Sequence, residues 1–222
     1  MKYYVVIDLE MCKVPKGAVK SYGKSNEVIQ IGAVALDEQY QILEDRFMTY
    51  VKPQYGSLDT FINHLTGITQ KDLKNAPCFE EALRQFKLWL PDGEVEMVSW
   101  SRTDLKQLQN EMQAKSIVSE WFEKIFETWN DCQKTFSNKM EKKRAYSLEE
   151  ALIAANIIQE GQAHDGLSDA YNTALLFAKM AKEPHLKLNP IYEEARSEKV
   201  NHLTVSMGEF FGKIDLSSLP ES

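Results

Sequence analysis

A chain of 222 residues with 43% hydrophobic residues can bury one good core with an appendage, and it is too short for two ordinary domains. No apolar run could span a membrane and the start MKYYVVIDLE lacks signal-peptide features, so we expect a cytoplasmic protein with no membrane partner. The formal net charge of −7 argues against a protein that binds long stretches of nucleic acid. Three widely spaced cysteines, Cys12, Cys78 and Cys132, argue against a disulfide framework and a zinc site.

The first part of the chain predicts a three-stranded meander. YYVVIDLE has the pattern of a buried strand that ends in acids, and EVIQIGAVALD and ILEDRFMTYVKP follow as two more strands joined by the polar turn DEQYQ. We expect a loop between the first two strands, and it contains lysines but no acid: Lys13, Lys16, Lys20 and Lys24. This pattern is compatible with a solvated loop and with a phosphate-binding surface.

Helices and short strands alternate in the remainder. LDTFINHLTGI and CFEEALRQFKLWL have helical spacing, VEMVSW is a short strand, and TDLKQLQNEM is a helix. We expect another strand around KIFETW, then helices through DCQKTF, SLEEALIAAN and the HDGLSDAYNTALLFAKM segment. The fold class is therefore α/β, with a mixed five-stranded sheet flanked by helices. Residues 1–182 form the predicted domain, and residues 183–222 an extension that packs on the domain or on an unknown protein partner.

Acids occur where strands end. Asp8 and Glu10 are two residues apart on one strand, so both carboxylates project from the same face, and a divalent cation would offset their repulsion. Asp104 follows the buried strand VEMVSW at the start of a helix. Simpler interpretations stay open, because strand ends are often exposed and acids often cap helices.

The stretch HDGLSDA places His164 five residues before Asp169. It could be no more than the start of an amphipathic helix, because Asp and Ser accept hydrogen bonds from free N–H groups there. If that helix packs across the strand ends, its acid joins the other three carboxylates beside a histidine. Such an oxygen-rich set suits two divalent cations, Mg²⁺ or Mn²⁺.

The ordered set of Asp8, Glu10, Asp104, His164 and Asp169 resembles the DEDDh exonucleases of the DnaQ-like, ribonuclease H-like superfamily. The segments IDLEMC, NEVIQIGAVALD, YVKP, LTGIT, VSWSRTDLKQL and HDGLSDAYNTA resemble its enhanced-RNAi, or histone-mRNA trimming, branch, over about residues 3 to 181. The chain departs from the branch pattern around the mid-chain acid and after the histidine, which bears on substrate preference. The departing residues are Ser101, Arg102, Thr103, Asp165 and Ser168.

The resemblance implies a metal-dependent 3′–5′ exonuclease that releases nucleoside 5′-monophosphates from the 3′ end of single-stranded nucleic acid, with RNA favoured over DNA. It implies that Asp8, Glu10 and Asp169 hold one cation. Asp8 would bridge to the second cation, which Asp104 supports. His164 would be the general base, since an unperturbed imidazole is largely neutral near pH 7.

Five residues are candidates for substrate binding. Met11 and Lys13 follow the catalytic acids, and Leu65, Thr66 and Gly67 of the LTGI turn would supply an apolar wedge and backbone donors. The same turn could simply end a helix with a glycine cap. Trp89 lies on a predicted apolar helix face and Trp100 ends a predicted buried strand, so core packing is favoured over base stacking for both.

Two other functions fit the sequence. One is a DNA-directed exonuclease of the proofreading type. The other is a binding or regulatory protein that uses the nuclease fold, with residues 183–222 as its interface. Loss of a metal ligand would mark the second, and none of the five catalytic positions is lost.

Overall fold

A five-stranded sheet forms the centre of the molecule. The computed structural model describes residues 1–141 and 144–192. The sheet has the order β3-β2-β1-β4-β5, with β1 (Lys2–Lys13), β2 (Asn26–Leu36), β3 (Ile42–Tyr50), β4 (Glu94–Ser99) and β5 (Asn130–Asp131). The pairs β1–β2 and β2–β3 are antiparallel, whereas β1–β4 and β4–β5 are parallel. The predicted meander and the mixed five-stranded sheet are confirmed.

Helices cover the sheet. In chain order they are α1 (Lys16–Tyr22), α2 (Thr60–Thr66), α3 (Gln70–Lys74), α4 (Phe79–Trp89), α5 (Arg102–Ala114), α6 (Glu120–Glu127), α7 (Cys132–Lys139), α8 (Leu148–Ala154) and α9 (Gly166–Lys182). Side-chain caps set several of their starts, including capping boxes at Thr69 and Ser147. These caps satisfy backbone N–H groups that the first helical turn leaves without partners.

The prediction of a strand around KIFETW is wrong. The first four residues of that segment belong to α6. This helix begins after Ser119, whose hydroxyl accepts a hydrogen bond from Phe122 N–H. Phe122 and Ile125 are buried on one face, and Trp129 is buried just beyond the helix. The spacing of these apolar residues is therefore helical, and the strand that follows is only β5, two residues long.

The lysine-bearing connection between β1 and β2 is also more ordered than predicted. It contains α1, which starts after Pro15 and stops at Gly23, a glycine with φ +82°. Lys16 and Lys20 are exposed on this helix. Lys24 differs, because its Nζ donates hydrogen bonds to Asn110 and Gln113 on α5 at 2.8 and 3.0 Å.

The main core lies between the sheet and helices α4, α5 and α6. Phe79, Leu83 and Phe86 of α4 are buried there, as their helical spacing predicts. Trp89 contacts Phe47 and Phe86, and Trp100 contacts Phe136. Both tryptophans therefore pack against other aromatic side chains. Of the free cysteines, Cys12 and Cys132 are buried and Cys78 is exposed.

A buried charged network joins the start of β2 to the loop before α2. Glu27 and Glu111 are fully buried, and each carboxylate contacts Lys115 Nζ at 2.8 Å. Glu27 also accepts hydrogen bonds from the backbone N–H groups of Gln54, Tyr55 and Gly56. Although burial acts to raise it, the pKa of Glu27 is held below its ordinary value by Lys115 and these N–H donors. The network fixes the loop that leads into α2 and the LTGI turn.

Two further features concern the whole chain. Within the described ranges, no helix is long and apolar enough to cross a membrane. The chain divides into two compact units, Met1–Lys187 and Leu188–Ser222. Within the second unit, Tyr192 N–H donates to Asn189 O at 2.8 Å. Most of the predicted extension, residues 193–222, lies outside the described residues, so its role stays a prediction.

Candidate active site and metal centre

Strand β1 delivers two carboxylates to one face of the sheet. Asp8 pairs in register with Gly32 of β2, and Glu10 pairs with Gln30. A β-bulge between Glu10 and Met11 shifts the register directly after the second acid. Because alternate residues on a strand share a face, both carboxylates lie on the same side as their partners on β2.

Asp104 reaches the same place from the neighbouring strand. It lies in the first turn of α5, just after β4, which runs parallel to β1. Its Oδ1 accepts a hydrogen bond from Leu9 N–H at 3.2 Å, and its side chain is buried. Leu9 lies between the two acids of β1, so this bond holds Asp104 against them.

The N-terminus of α9 completes the site. Glu10, His164 and Asp169 have potential ligand atoms that all lie within 4.8 Å of one another. His164 is exposed and adopts the left-handed conformation with φ +61°, and its N–H donates to Asp169 Oδ2 at 2.9 Å. The structure thus brings together all five residues that the sequence marks as catalytic.

The four carboxylates repel one another in a buried setting. Burial raises the pKa of Glu10 to about 8, and the negative charges of Asp169 and Asp104 add to the shift. Burial also raises the pKa of Asp104 to about 7, against the hydrogen bond from Leu9 N–H. The pKa values of Asp8 and Asp169 are raised as well, again chiefly by burial. Each shift means that the protein's own groups only partly offset the burial and mutual repulsion of the ionised carboxylates.

This donor set fits a divalent cation. Within residues 1–141 and 144–192, no lysine, arginine or histidine forms an ion pair with these four carboxylates. Carboxylate oxygens are the ligands that hard cations prefer, and a bound cation would supply the missing positive charge. The cluster is therefore a candidate metal site, as the sequence predicts.

The stability of the metal-free protein is expected to fall as pH rises. Glu10 has a pKa of about 8 in the folded protein, above the ordinary value of 4.5, so between these values the folded state binds more protons than the unfolded chain. The free energy of unfolding should decrease by on the order of 5 kcal/mol across this interval from Glu10 alone, and Asp104 adds to the loss. Mg²⁺ should offset the loss, so its stabilising effect grows with pH. Urea denaturation in EDTA and in Mg²⁺ at several pH values measures both.

The predicted substrate-binding residues lie at different depths. Met11 is half-buried at the bulge, and Lys13 is exposed at the end of β1. Leu65 is half-buried at the end of α2. Thr66 is buried, and its hydroxyl accepts from Ile68 N–H and donates to Ile62 O. Lys13 and Gly67 are therefore the exposed members of the predicted set, whereas Thr66 is buried.

The expectation of free backbone donors in the LTGI turn needs correction at Gly67. Gly67 N–H already donates to Asn63 O at 2.8 Å, and the residue has φ +74° as the left-handed cap of α2. Thr66 and Gly67 thus shape the turn in this structure. The turn still lies beside the segment that carries His164, because a Cβ at Gly67 would be 3.5 Å from the Gln162 side chain.

Three polar residues near the site were not predicted as functional. Gln30 and Asp165 hydrogen-bond to each other at 2.8 Å between β2 and the start of α9. Asn172, fully buried on α9, binds both the N–H and the C=O of Glu160 at 2.9 and 2.8 Å. The sequence offered one signal for Gln30 and Asn172. Each is an amide residue within an otherwise apolar segment, a strand for Gln30 and a helix for Asn172.

Comparison with known proteins finds a matching family and several similar nucleases. Residues 5–177 match the RNase_T family, described as exonuclease. ERI1 exoribonuclease 2 from Mus musculus is 29% identical over 204 residues, covering 82% of this chain and 29% of that protein. The 3′-5′ exonuclease Snipper from Drosophila melanogaster is 25% identical over 219 residues, covering 85% of this chain and 76% of the relative. This chain therefore spans less than a third of the length of the mouse ERI1 exoribonuclease 2.

A solved structure shows the same architecture. The crystal structure of cell-death related nuclease 4 (CRN-4) superposes with a TM-score of 0.69 and 27% sequence identity, covering 84% of this chain and 66% of that one. The fold is thus the ribonuclease H-like mixed sheet flanked by helices, as predicted. With the family match over residues 5–177, most of the chain, this protein belongs to the RNase_T exonuclease family.

Proposed function

We propose that the protein is a metal-dependent 3′–5′ exonuclease that removes nucleoside 5′-monophosphates from single-stranded nucleic acid, with RNA preferred over DNA. The observation that carries the proposal is the convergence of four uncompensated carboxylates beside an exposed histidine. The RNA preference is supported by the relatives named exoribonucleases and by the sequence segments that resemble the RNA-processing branch.

The residues of the site would have three different roles: metal binding, proton transfer and contact with the substrate. Asp8, Glu10 and Asp169 would hold one cation, and Asp8 with Asp104 the other. When bound, two Mg²⁺ or Mn²⁺ ions would help form the nucleophile and stabilise the attacking and leaving oxygens. His164 accepts a proton from the attacking water, because its imidazole is exposed next to Glu10 and Asp169. Met11, which follows Glu10 on β1, and Leu65, near the end of α2, would contact the terminal nucleotide.

The test compares matched 5′-labelled RNA and DNA oligomers in Mg²⁺ or Mn²⁺. A ladder that shortens from the 3′ end and stops in EDTA is the expected result, with the RNA ladder advancing faster. Faster shortening of DNA would support the proofreading-type alternative. If neither oligomer shortens while the protein remains folded, the proposed activity is overturned and a binding function is favoured.

Exposed lysines near the end of β1 are expected to contribute to phosphate binding. Changing Lys13, Lys16 and Lys20 together to alanine should raise KM by about ten-fold at low salt and flatten its salt dependence, because fewer contacts release fewer counterions. Steady-state kinetics across a salt series measure this. Lys124, Lys134 and Lys187 are also exposed and make a matched triple control. An unchanged salt slope in the first triple variant would remove the proposed role.

A further inference from the structure

The side chain of Gln30 links β2 to the start of α9. It is 1% exposed and stands opposite Glu10 in the sheet register. Its Nε2 donates to Asp165 Oδ1 at 2.8 Å, and its Oε1 accepts from Gly166 N–H at 2.9 Å. Because the backbone N–H can only donate, the amide orientation is fixed, and Gln30 must act as donor toward Asp165.

Asp165 continues the connection into the helix. It is the N-cap of α9, and its Oδ2 accepts from Ser168 N–H at 3.1 Å and from Ser168 Oγ at 2.7 Å. One carboxylate therefore binds the strand and the first helical turn at the same time. His164 precedes it directly, and Asp169 follows within the same turn.

The backbone contact at this place is unusually close. A Cβ on Gly32 would overlap the backbone of Gly166 and Leu167. A Cβ on Gly166 would lie 3.2 Å from Asp8 O and from Gln30 Oε1. Helix α9 thus begins in direct contact with β1 and β2, with no side chain between them. Because this packing is so close, the backbone cannot easily adjust to a change in the Gln30 contact.

We propose that the Gln30–Asp165 pair is a positioning device for the catalytic histidine, an inference that rests on the proposed function. The segment around His164 is tied at one end by Asn172, which binds Glu160, and at the other by the Gln30–Asp165 pair. The donor–acceptor direction of that pair sets where His164 stands relative to Glu10 and Asp169. Gln30 and Asp165 are positioning residues and need not touch the substrate.

Gln30→Glu is the sharpest test because it keeps size and shape but removes the donor. The introduced carboxylate would face the Asp165 carboxylate without a proton between them, in a site already rich in negative charge. The expected result is a fall in kcat of about 30-fold with KM changed less than about three-fold, since misplacement of a catalytic group acts on the chemical step. Gln39→Glu adds the same charge at an exposed turn and should leave kcat unchanged.

The second variant, Asp165→Ser, tests whether the loss of activity in Gln30→Glu can be rescued. A serine hydroxyl can still cap α9 and can donate to the carboxylate introduced at position 30, so Gln30→Glu with Asp165→Ser restores a pair of opposite polarity. The double variant should recover kcat to within about three-fold of the wild type, well above Gln30→Glu alone. Asp165→Ser alone, which leaves the buried strand unchanged, should lower kcat by less than about ten-fold.

Hydrogen exchange of the Gly166 and Ser168 amides gives a readout that does not depend on activity. Exchange should accelerate in Gln30→Glu and slow again in the double variant, because these N–H groups bind Gln30 and Asp165. A double variant that recovers exchange protection without recovering kcat would overturn the positioning role. Absence of RNA and DNA cleavage in the wild type itself would instead overturn the proposed function, while the exchange pattern would still report on the pair.

Discussion

Asp8→Asn is expected to lower exonuclease activity by more than about 1,000-fold while leaving the fold intact. Asp8 lies on the central strand, and burial, together with the negative charges of Asp104 and Asp169, raises its pKa. This carboxylate would help to hold the cations, so an amide in its place removes a negative charge from the proposed ligand set. The other three carboxylates cannot replace Asp8, because the four act together as one set of ligands.

The same substitution is expected to stabilise the metal-free protein by about 1 kcal/mol, since it removes one buried, uncompensated charge from the cluster. Activity and stability should therefore move in opposite directions. Urea denaturation in EDTA measures the stability, and cleavage of a 5′-labelled oligomer measures the activity. Calorimetric titration measures Mg²⁺ binding, which should weaken sharply. Asp92→Asn, at an exposed position, is the matched control. A variant that lost activity through unfolding, or that bound Mg²⁺ normally, would contradict the assignment.

His164→Asn should lower kcat by roughly 100- to 10,000-fold, the range for loss of a general base. Asparagine is the preferred replacement because it tolerates the left-handed conformation that His164 adopts with φ +61°. The N–H that donates to Asp169 is a backbone group and is retained. Single-turnover cleavage of a 5′-labelled oligomer measures the loss, and His185→Asn, also exposed, is the control.

Metal binding separates the two roles that the geometry allows for this histidine. Glu10, His164 and Asp169 lie close enough for all three to bind one ion. If His164 is the base, its asparagine variant should keep the full increase in melting temperature on addition of Mg²⁺. Loss of that increase would identify His164 as a metal ligand instead.

The sequence was sufficient for the sheet and for the acids because both depend on local patterns. The strand of Asp8 and Glu10 is apolar and ends in charge, and Asp104 follows a buried strand, so backbone geometry alone places them together. The error at KIFETW has the same origin. A short apolar segment with aromatic residues satisfies both strand and helix patterns, and the Ser119 cap with tertiary packing decides between them.

Polar contacts between distant segments could not be predicted in this way. Gln30 and Asp165 are 135 residues apart, and nothing near either one indicates the other. Glu27 and Lys115 likewise meet only because β2 and α5 pack together. Such pairs require the assembled fold, whereas strand and helix patterns require only their own neighbours.

The position of α9 also has a consequence for a chain during its synthesis. The acids of β1 emerge first, but Asp169 and His164 belong to the last large element of the described domain, and α9 covers β2 at Gly32. A nascent chain whose α9 is still inside the ribosome lacks both Asp169 and His164. With the roles proposed for these two residues, such a chain would be inactive toward nucleic acid near the ribosome, and hydrolysis would begin only after the whole domain has closed.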